Sequence, residues 1–315
     1  MVSPELAPEP IGVLCGPTAV GKTSLAVALA EHLRGEIICA DSRTVYRGMD
    51  IGTAKPGAEL RARVRHHLLD VADPGDTFTL ADFQRRARDA MQDIRSRGRL
   101  PLLVGGAGLY IRAVVDDLSM PRVPLDRALR ERLMAEEAAT GTGTLHRRLA
   151  TLDPAAASRI HPANLRRVIR ALEVVETTGR PISEQQRRGD RPPHATMIGL
   201  VAERAELYRR IDARVEAQLA AGLADETRRL LTLGVPPAAP SMQALGYKEL
   251  AGWLAGAYGY EEAVRILKRN TRRYAKRQLT WFRHDPRIEW IDVTNLTDEA
   301  LLDRARVMMG SLRVA

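Results

Sequence analysis

The sequence predicts an α/β fold, a P-loop-type parallel sheet flanked by helices, with an all-helical insertion domain. Apolar runs of strand length alternate with helical stretches over the first 120 residues, and a glycine-rich turn joins the first strand to the first helix. From about 121 to 191 only helical patterns remain. We therefore expect a flexible tail at 1–10, a core domain at 11–120 and 195–315, and an insertion domain at 121–194.

The core begins as a βαβ unit. Ile11–Cys15 is apolar and of strand length, and a helical stretch over about 22–33 follows it. We expect Gly35 to close this helix and Glu36–Ala40 to form a second buried strand. That strand delivers Asp41 at its carboxyl end, the edge where open α/β sheets bind their ligands.

Two more strands are predicted before the insertion. His67–Val71 is a short candidate, and Leu100–Val104 is a further buried run. Between them, Thr79–Arg97 has the pattern of a capped amphipathic helix that ends at Gly98. Gly105–Gly108 leads into another helical stretch, and these glycines either let a ligand approach the backbone or form a plain tight turn.

The second half of the chain alternates again after the insertion, whose Asn164–Thr178 segment is helical. Thr196–Val201 predicts a return to the sheet, Arg204–Ala221 a helix, and Arg287–Val293 a last edge strand. The segment 265–287 holds nine Lys or Arg residues and one acid, which predicts a long basic helix. Its expected apolar stripe consists of Val264, Leu267, Tyr274 and Trp281.

The composition favours an anionic partner and a cytoplasmic location. Lys and Arg number 48 against 39 Asp and Glu, a formal charge of +9, which suits nucleic acid or phosphorylated metabolites. Cys15 and Cys39 lie in apolar runs, so they indicate neither a disulfide scaffold nor a zinc site. No apolar run approaches the roughly 18 residues of a membrane span, and the start lacks a signal-peptide pattern.

The first strand leads into a phosphate-binding loop, G-x-x-x-x-G-K-[ST], in the strand-to-helix context that this motif requires. Its residues are Gly16, Pro17, Thr18, Ala19, Val20, Gly21, Lys22 and Thr23. The glycines let backbone N–H groups face phosphate oxygens, Lys22 neutralises charge, and Thr23 can hold Mg²⁺.

Asp41 has two open interpretations, a general base facing the loop or a turn-capping residue. No later segment supplies the second acid that holds Mg²⁺ in ATPases, and His67–Asp70 is the nearest imitation. This disfavours a motor or switch ATPase and favours a transferase that uses a phosphate-bearing donor. His66 and His67 lack a third ligand at metal spacing, so we interpret them as structural.

Several separated segments resemble, in the same order, those of bacterial tRNA dimethylallyltransferases, also called tRNA isopentenyltransferases. They are Gly16–Thr23, Ala40–Ser42, Val45–Pro56, His67–Asp70, Leu103–Gly106 with Leu109–Tyr110, Arg170–Glu173, Gly246–Lys248, Lys276–Gln278 and Trp281–Arg283. Together they span about residues 11–290. Met49–Pro56 is far more diagnostic than the phosphate loop alone.

The resemblance implies prenyl transfer. The dimethylallyl group of dimethylallyl diphosphate would move to N6 of the adenosine 3′-adjacent to the tRNA anticodon, position 37, and the loop would hold the departing diphosphate with Mg²⁺ at Thr23. By matching position, Asp41 would accept or orient the N6 proton and Arg214 would face the diphosphate. The partners implied are dimethylallyl diphosphate and the tRNA anticodon stem-loop, bound by a monomer.

The resemblance also implies a set of tRNA-binding residues. They are Asp41, Ser42, Arg43, Thr44, Ala107, Arg166, Arg167, Val168, Ile169, Arg170, Lys276, Arg277 and Gln278. Two of these depart from the family pattern, because many members carry Thr or Ser at Ala107 and Gln at Thr44. A hydroxyl contact and a base contact are therefore in question at these two positions.

Three other functions compete with prenyl transfer to tRNA. A small-molecule P-loop kinase would leave the basic helix and the insertion without a purpose. An adenylate isopentenyltransferase, which prenylates free nucleotides, would have little use for an arginine-rich insertion. A nucleotide-controlled RNA-binding protein would need no chemistry at all.

Overall fold

The chain divides into two compact units in a computed structural model that describes residues 9–121, 123–189, 192–310 and 312. One unit comprises 1–115 and 193–315, and the other comprises 116–192. Positions 1–8 of the predicted tail lie outside the described residues. Glu9 and Pro10 of this tail are described, and Pro10 opens the first strand, a position where its missing N–H costs no ladder bond.

The first unit contains one six-stranded parallel sheet, which confirms the predicted fold class. Its strands are β1 (Pro10–Cys15), β2 (Gly35–Ala40), β3 (His66–His67), β4 (Leu100–Gly105), β5 (His194–Val201) and β6 (Ile288–Asp292), in the order β3-β2-β4-β1-β5-β6. Cys15 and Ala40 are both in register with Gly105. The segments that follow β1, β2 and β4 therefore leave the sheet side by side.

Helices flank this sheet and form the second unit. They are α1 (Lys22–His32), α2 (Ala58–Arg63), α3 (Leu80–Ser96), α4 (Gly108–Val115), α5 (Arg127–Thr140), α6 (Thr144–Leu152), α7 (Pro154–Ala157), α8 (Leu165–Thr178), α9 (Ile182–Gln185), α10 (Arg204–Ala220), α11 (Leu223–Thr232), α12 (Tyr247–Leu254), α13 (Tyr260–Phe282) and α14 (Asp298–Met309). A short 3₁₀ turn, Ser241–Gln243, precedes α12. The described helices are not long and apolar enough for any one of them to cross a membrane.

Two local expectations were wrong. Gly35 does not close α1 but lies in β2, where a Cβ would come within 2.8 Å of the Leu100 carbonyl oxygen. Arg34 takes the left-handed turn instead, with φ of 52°. The predicted strand at 67–71 stops after His67, because Leu68 and Asp70 have φ of 64° and 57° and break the extended chain.

The buried face of α13 also differs from the predicted stripe. Its buried residues are Ala263, Leu267, Thr271, Ala275, Gln278 and Phe282. Leu267 alone is common to both sets, and Trp281 is 41% exposed. The helix packs against α4, α10 and α12 through small and polar residues as well as apolar ones. A purely hydrophobic pattern could not locate such a face.

The second unit has its own core, and no described residue in it forms a strand. Glu173 of α8 lies in this core with a fully buried side chain. Its carboxylate accepts hydrogen bonds from Arg130 at 2.8 and 2.7 Å, from Arg170 at 2.5 Å and from the Asp126 N–H at 2.9 Å. The Glu173 charge is therefore compensated by Arg130 of α5, by Arg170 of α8 and by the backbone N–H of the α5 N-cap.

Replacing Glu173 by Gln should destabilise this unit by roughly 3 kcal/mol, because two arginines lose their counter-ion. Burial alone would raise the pKa of Glu173, but the hydrogen bonds from Arg130 and Arg170 lower it to about 2. The stabilisation is therefore complete above the ordinary value of 4.5 and is lost as the pH falls toward 2. Denaturant unfolding measures both effects. Equal losses in Glu173→Gln and in the more exposed Glu176→Gln would contradict this role.

Candidate active site

The phosphate-binding loop turns sharply between β1 and α1. Gly16 has φ of 142° and Gly21 has φ of 101°, conformations that L side chains rarely adopt. A Cβ on Gly16 would also lie 2.7 Å from the Leu200 carbonyl oxygen of β5. Gly21 is the N-cap of α1, so the free N–H groups of this helix begin at the loop. Loop and helix N-terminus together suit a phosphate group.

Lys22 lies over this loop. Its Nζ donates hydrogen bonds to the carbonyl oxygens of Gly16 at 3.0 Å and Pro17 at 2.6 Å. Burial, and then the positive charge of Arg214, lower the pKa of Lys22 to about 8, while Asp41 opposes the shift. Burial also lowers the pKa of Arg214. Two cations in one desolvated place favour the binding of a multivalent anion.

Two adjoining cavities meet beside this loop. The first, of about 120 Å³, contains Lys22 and Thr23 and has an apolar wall that includes Ala26, Ile37 and Val104. The second, of about 250 Å³, is lined by apolar residues such as Ile211 and Leu245 and also by a larger set of polar and cationic residues. These are Ser42, Arg43, Gln218, Gln243, Lys248, Thr271 and Arg277. Both cavities share Thr18, Asp41, Thr53, Arg214 and Tyr274.

Asp41 follows β2 and lines both cavities. One carboxylate oxygen accepts the Arg43 N–H at 2.7 Å, the geometry of a turn-forming aspartate. The residue therefore has a turn-capping contact and a position in the cavities at the same time. Cys39 lies on the wall of the first cavity, where burial raises the pKa of its thiol to about 12 and keeps it protonated.

Gln278 bridges the two glycine-rich turns. Its Oε1 accepts the Thr18 N–H at 2.9 Å, and its Nε2 donates to the Gly106 carbonyl oxygen at 2.9 Å. A Cβ on Gly106 would lie 2.1 Å from this Nε2, and one on Gly108 would lie 2.1 Å from the Trp281 ring. The absence of side chains at Gly106 and Gly108 therefore lets Gln278 and Trp281 of α13 pack against this turn. The expectation that Gln278 binds tRNA does not fit, because its side chain is buried and both polar groups are used.

The other residues expected at tRNA in the first unit lie in different environments. Ser42 and Arg43 line the second cavity, and Arg277 joins them there with its guanidinium over the Tyr274 ring. Thr44 is only 6% exposed and lines the first cavity, so its side chain is not available to a bulky RNA. The Ala107 N–H donates to the Ala40 carbonyl oxygen at 3.1 Å, which ties the start of α4 to β2.

The five expected residues on α8 divide by exposure. Arg166 and Arg167 are exposed at the start of the helix. Val168 and Ile169 are buried in the core of the second unit, which rules out an RNA contact for these two side chains. Arg170 is bound to Glu173 and to the Val123 carbonyl oxygen, so much of its hydrogen-bonding capacity is already used.

The basic residues of α13 fall into two groups, those paired with a carboxylate and those without one. Carboxylates neutralise three of its cations: Arg265 pairs with Glu262, Lys268 with Glu216, and Arg272 with Asp212. Five cations from this segment have no ion pair within the described part of the chain. They are Arg269, Arg273, Lys276, Arg277 and Arg283. Arg269, Arg273 and Lys276 are spaced by 4 and 3 residues and share one face of the helix, while Arg277 lies beside them and Arg283 is the C-cap. We call these five residues the α13 basic stripe.

The cavity residues that sequence reasoning missed include Thr53, Gln218, Lys248 and Tyr274. Thr53 lies within the diagnostic segment Met49–Pro56, and Lys248 belongs to the matching Gly246–Lys248 segment. Their presence in these segments was a signal, but neither has a motif that names its chemistry. Gln218 and Tyr274 carry no local signal, since they lie on ordinary helix turns.

A phosphate loop at the carboxyl edge of a parallel sheet, opening on a second cationic cavity, defines a P-loop α/β protein that acts on phosphorylated ligands. Residues 44–285 match the IPP transferase family. The chain therefore belongs to this family, and the resemblance drawn from its motifs is confirmed.

Relatives and solved structures agree over nearly the whole chain. The tRNA dimethylallyltransferase of Symbiobacterium thermophilum is 53% identical over 90% of each chain, and that of Desulforudis audaxviator is 50% identical over 97% of this chain and 98% of its own. The tRNA isopentenylpyrophosphate transferase of Bacillus halodurans is 45% identical with a TM-score of 0.73, covering 96% and 97% of the chains. A eukaryotic dimethylallyltransferase acting on tRNA is 28% identical with a TM-score of 0.80, covering 95% and 78%.

The lowered pKa of Lys22 predicts that inorganic diphosphate binds the free protein more weakly as the pH rises. With a pKa of about 8, Lys22 loses its charge between pH 7 and 9, which should lower the affinity about tenfold. Calorimetric titration at several pH values measures this. The Lys22→Arg variant keeps its charge throughout and should show only the titration of diphosphate itself. Identical pH profiles for both proteins would contradict the prediction.

Proposed function

We propose that the protein transfers the dimethylallyl group of dimethylallyl diphosphate to N6 of the adenosine 3′-adjacent to the anticodon, position 37, of tRNA, with release of diphosphate. The observation that carries this proposal is the position of Asp41 and Arg214 where the two cavities meet. Anion-binding groups lie on one side of this junction, and a second cationic cavity opens on the other. Family membership and the names of the relatives support the same reaction.

The first cavity suits the donor. Backbone N–H groups of the loop, Lys22 and Arg214 would hold the diphosphate, and the apolar wall would accommodate the prenyl group. The described residues contain no group of three or more His, Cys, Asp or Glu that would hold a metal by themselves. Mg²⁺ binds through few protein ligands together with substrate phosphates, which fits the exposed Thr23 hydroxyl at the start of α1. Bound there, Mg²⁺ would neutralise charge on the diphosphate.

The second cavity suits the acceptor. An adenine extruded from its stack would present N6 to the donor carbon at the junction. The N6–C1 bond forms as the C1–O bond to diphosphate breaks, and Asp41 would accept the proton that N6 loses. Lys22 and Arg214 would stabilise the charge that develops on the leaving diphosphate. Tyr274 supplies an aromatic wall between the two substrates.

The tRNA itself would bind to exposed cations of α8 and α13, among which Arg277 also lines the second cavity. The α13 basic stripe would meet phosphates, while Arg166 and Arg167 would contact the anticodon loop, where arginines stack on splayed bases. A small-molecule kinase or an adenylate isopentenyltransferase would leave both sets without a ligand. We place the enzyme in the cytoplasm as a monomer, with dimethylallyl diphosphate and tRNA as its partners.

Incubation with labelled dimethylallyl diphosphate and total tRNA tests the reaction, and label in tRNA is the expected result. Asp41→Asn keeps the side-chain shape but removes the proton acceptor, so single-turnover transfer should slow by roughly 10²–10⁴-fold with little change in affinity. Turnover of ATP without label in tRNA would select a kinase instead. A wild-type rate in Asp41→Asn would refute the role of this carboxylate.

The basic residues predict a steep salt dependence of tRNA binding. Removing one phosphate contact should lower the slope of log affinity against log salt by roughly 0.7–0.9. We expect this for Lys276→Ala, whereas Arg167→Ala should cost roughly 1–3 kcal/mol if the arginine stacks on a loop base. Titrations of an anticodon stem-loop at several salt concentrations measure both. The paired Arg265→Ala is the control, and slopes and affinities that match it would show that RNA binds elsewhere.

A further inference from the structure

The Met49–Pro56 segment, here called the 49–56 loop, forms part of both cavity walls. Thr53, Ala54 and Pro56 line the first cavity, and Gly52 and Thr53 line the second. Thr53 therefore stands at the junction where Asp41 and Arg214 also lie. The loop has no regular secondary structure of its own, so its shape depends on what holds it.

A buried carboxylate holds the amide groups of this loop. Glu226 of α11 is 7% exposed and accepts the N–H groups of Asp50 at 3.0 Å, Ile51 at 3.1 Å and Gly52 at 3.3 Å. Three consecutive backbone donors that converge on one carboxylate form an anion-binding nest. Such charge-assisted bonds are about twice as strong as neutral ones.

Two further side chains, Tyr247 and Gln218, also fix the position of this loop. The Tyr247 hydroxyl of α12 donates to Glu226 at 2.5 Å, and its ring packs so closely that a Cβ on Gly52 would lie 2.4 Å from it. Gln218 of α10 donates from Nε2 to the carbonyl oxygens of Ile51 at 2.7 Å and Gly52 at 3.1 Å. Both the N–H and the C=O groups at the loop's bend are therefore bound by side chains.

The opposite end of the loop is held by Lys55, whose side chain is 3% exposed. Its Nζ donates to the Tyr46 carbonyl oxygen, to Asp50 and to Asp70, which uses all three of its protons. The loop is thus fixed at both ends, and within it the Thr53 hydroxyl donates to the Met49 carbonyl oxygen at 2.5 Å.

We propose that Glu226, with Tyr247 and Gln218, is a positioning residue for the transfer reaction, because it sets the backbone that presents Thr53 between donor and acceptor. This rests on the proposed function. Gln218 is four residues from Arg214 on α10, so the two side chains share a face of one helix. The contact of Gln218 to the 49–56 loop and the proposed contact of Arg214 to the diphosphate are therefore fixed relative to each other.

The test compares Glu226→Gln with Glu36→Gln. Glu36 is a buried carboxylate of the same unit that binds Arg97 and His67 near the amino end of β2 and lines neither cavity. A misplaced loop should lower kcat for prenyl transfer by roughly 10–100-fold in Glu226→Gln with little change in KM. Glu36→Gln should lower the melting temperature while kcat stays within about threefold. Equal kcat in the two variants would refute the positioning role.

A double variant sharpens the result. Because Gln218 and Glu226 act on the same loop, Gln218→Ala combined with Glu226→Gln should be scarcely slower than Glu226→Gln alone. Rate losses that multiply would show that the two residues act separately and would overturn the proposal.

Hydrogen exchange at the Asp50, Ile51 and Gly52 amides supplies a readout that needs no activity. Protection should be lost in Glu226→Gln and kept in Glu36→Gln. Protection retained in Glu226→Gln would refute the role of Glu226 in binding these amides. Absence of label transfer by the wild type, with the exchange pattern as expected, would instead refute the proposed function.

Discussion

The site depends on the in-register meeting of three parallel strand ends. Cys15 and Ala40 both pair with Gly105, so β1 and β2 end on either side of the end of β4. The segments that follow these three strands therefore begin one or two interstrand spacings from each other. A Cβ on Gly105 would lie only 2.0 Å from the Ala40 carbonyl oxygen, so the strands approach too closely for any side chain there. The phosphate loop, Asp41 and the Gly106 turn owe their proximity to this packing.

The parts of the site that sequence predicted are those whose geometry is local. The phosphate loop needs only a strand, two glycines with positive φ and a helix start, all within Cys15–Lys22. Asp41 was expected at the same edge because it follows a buried run. The same locality explains the success with the capped helix α3, whose Thr79 and Asp82 form a reciprocal capping box.

The parts that sequence could not predict depend on contacts between distant residues. Gln278 meets Thr18 across 260 positions, and Glu226 meets Ile51 across 175. Neither side chain belongs to a pattern with a chemical meaning of its own. The charge pattern of α13 shows the same limit, because Glu216 and Asp212 of α10, distant in sequence, neutralise two of its cations.

One turn of α13 connects the phosphate-binding loop to the proposed RNA surface. Gln278 faces inward and holds the Thr18 amide of the loop, while Lys276 is exposed on the α13 basic stripe and Arg277, also exposed, lines the second cavity. Tyr274, one turn earlier, lines both cavities. A helix moves as a rigid element over so short a distance, since each of its backbone bonds restrains its neighbours. Under the proposed function, phosphates bound to Lys276 and Arg277 would therefore be held at a set distance from the loop that would bind the diphosphate, and RNA binding would contribute to placing N6 against the donor carbon.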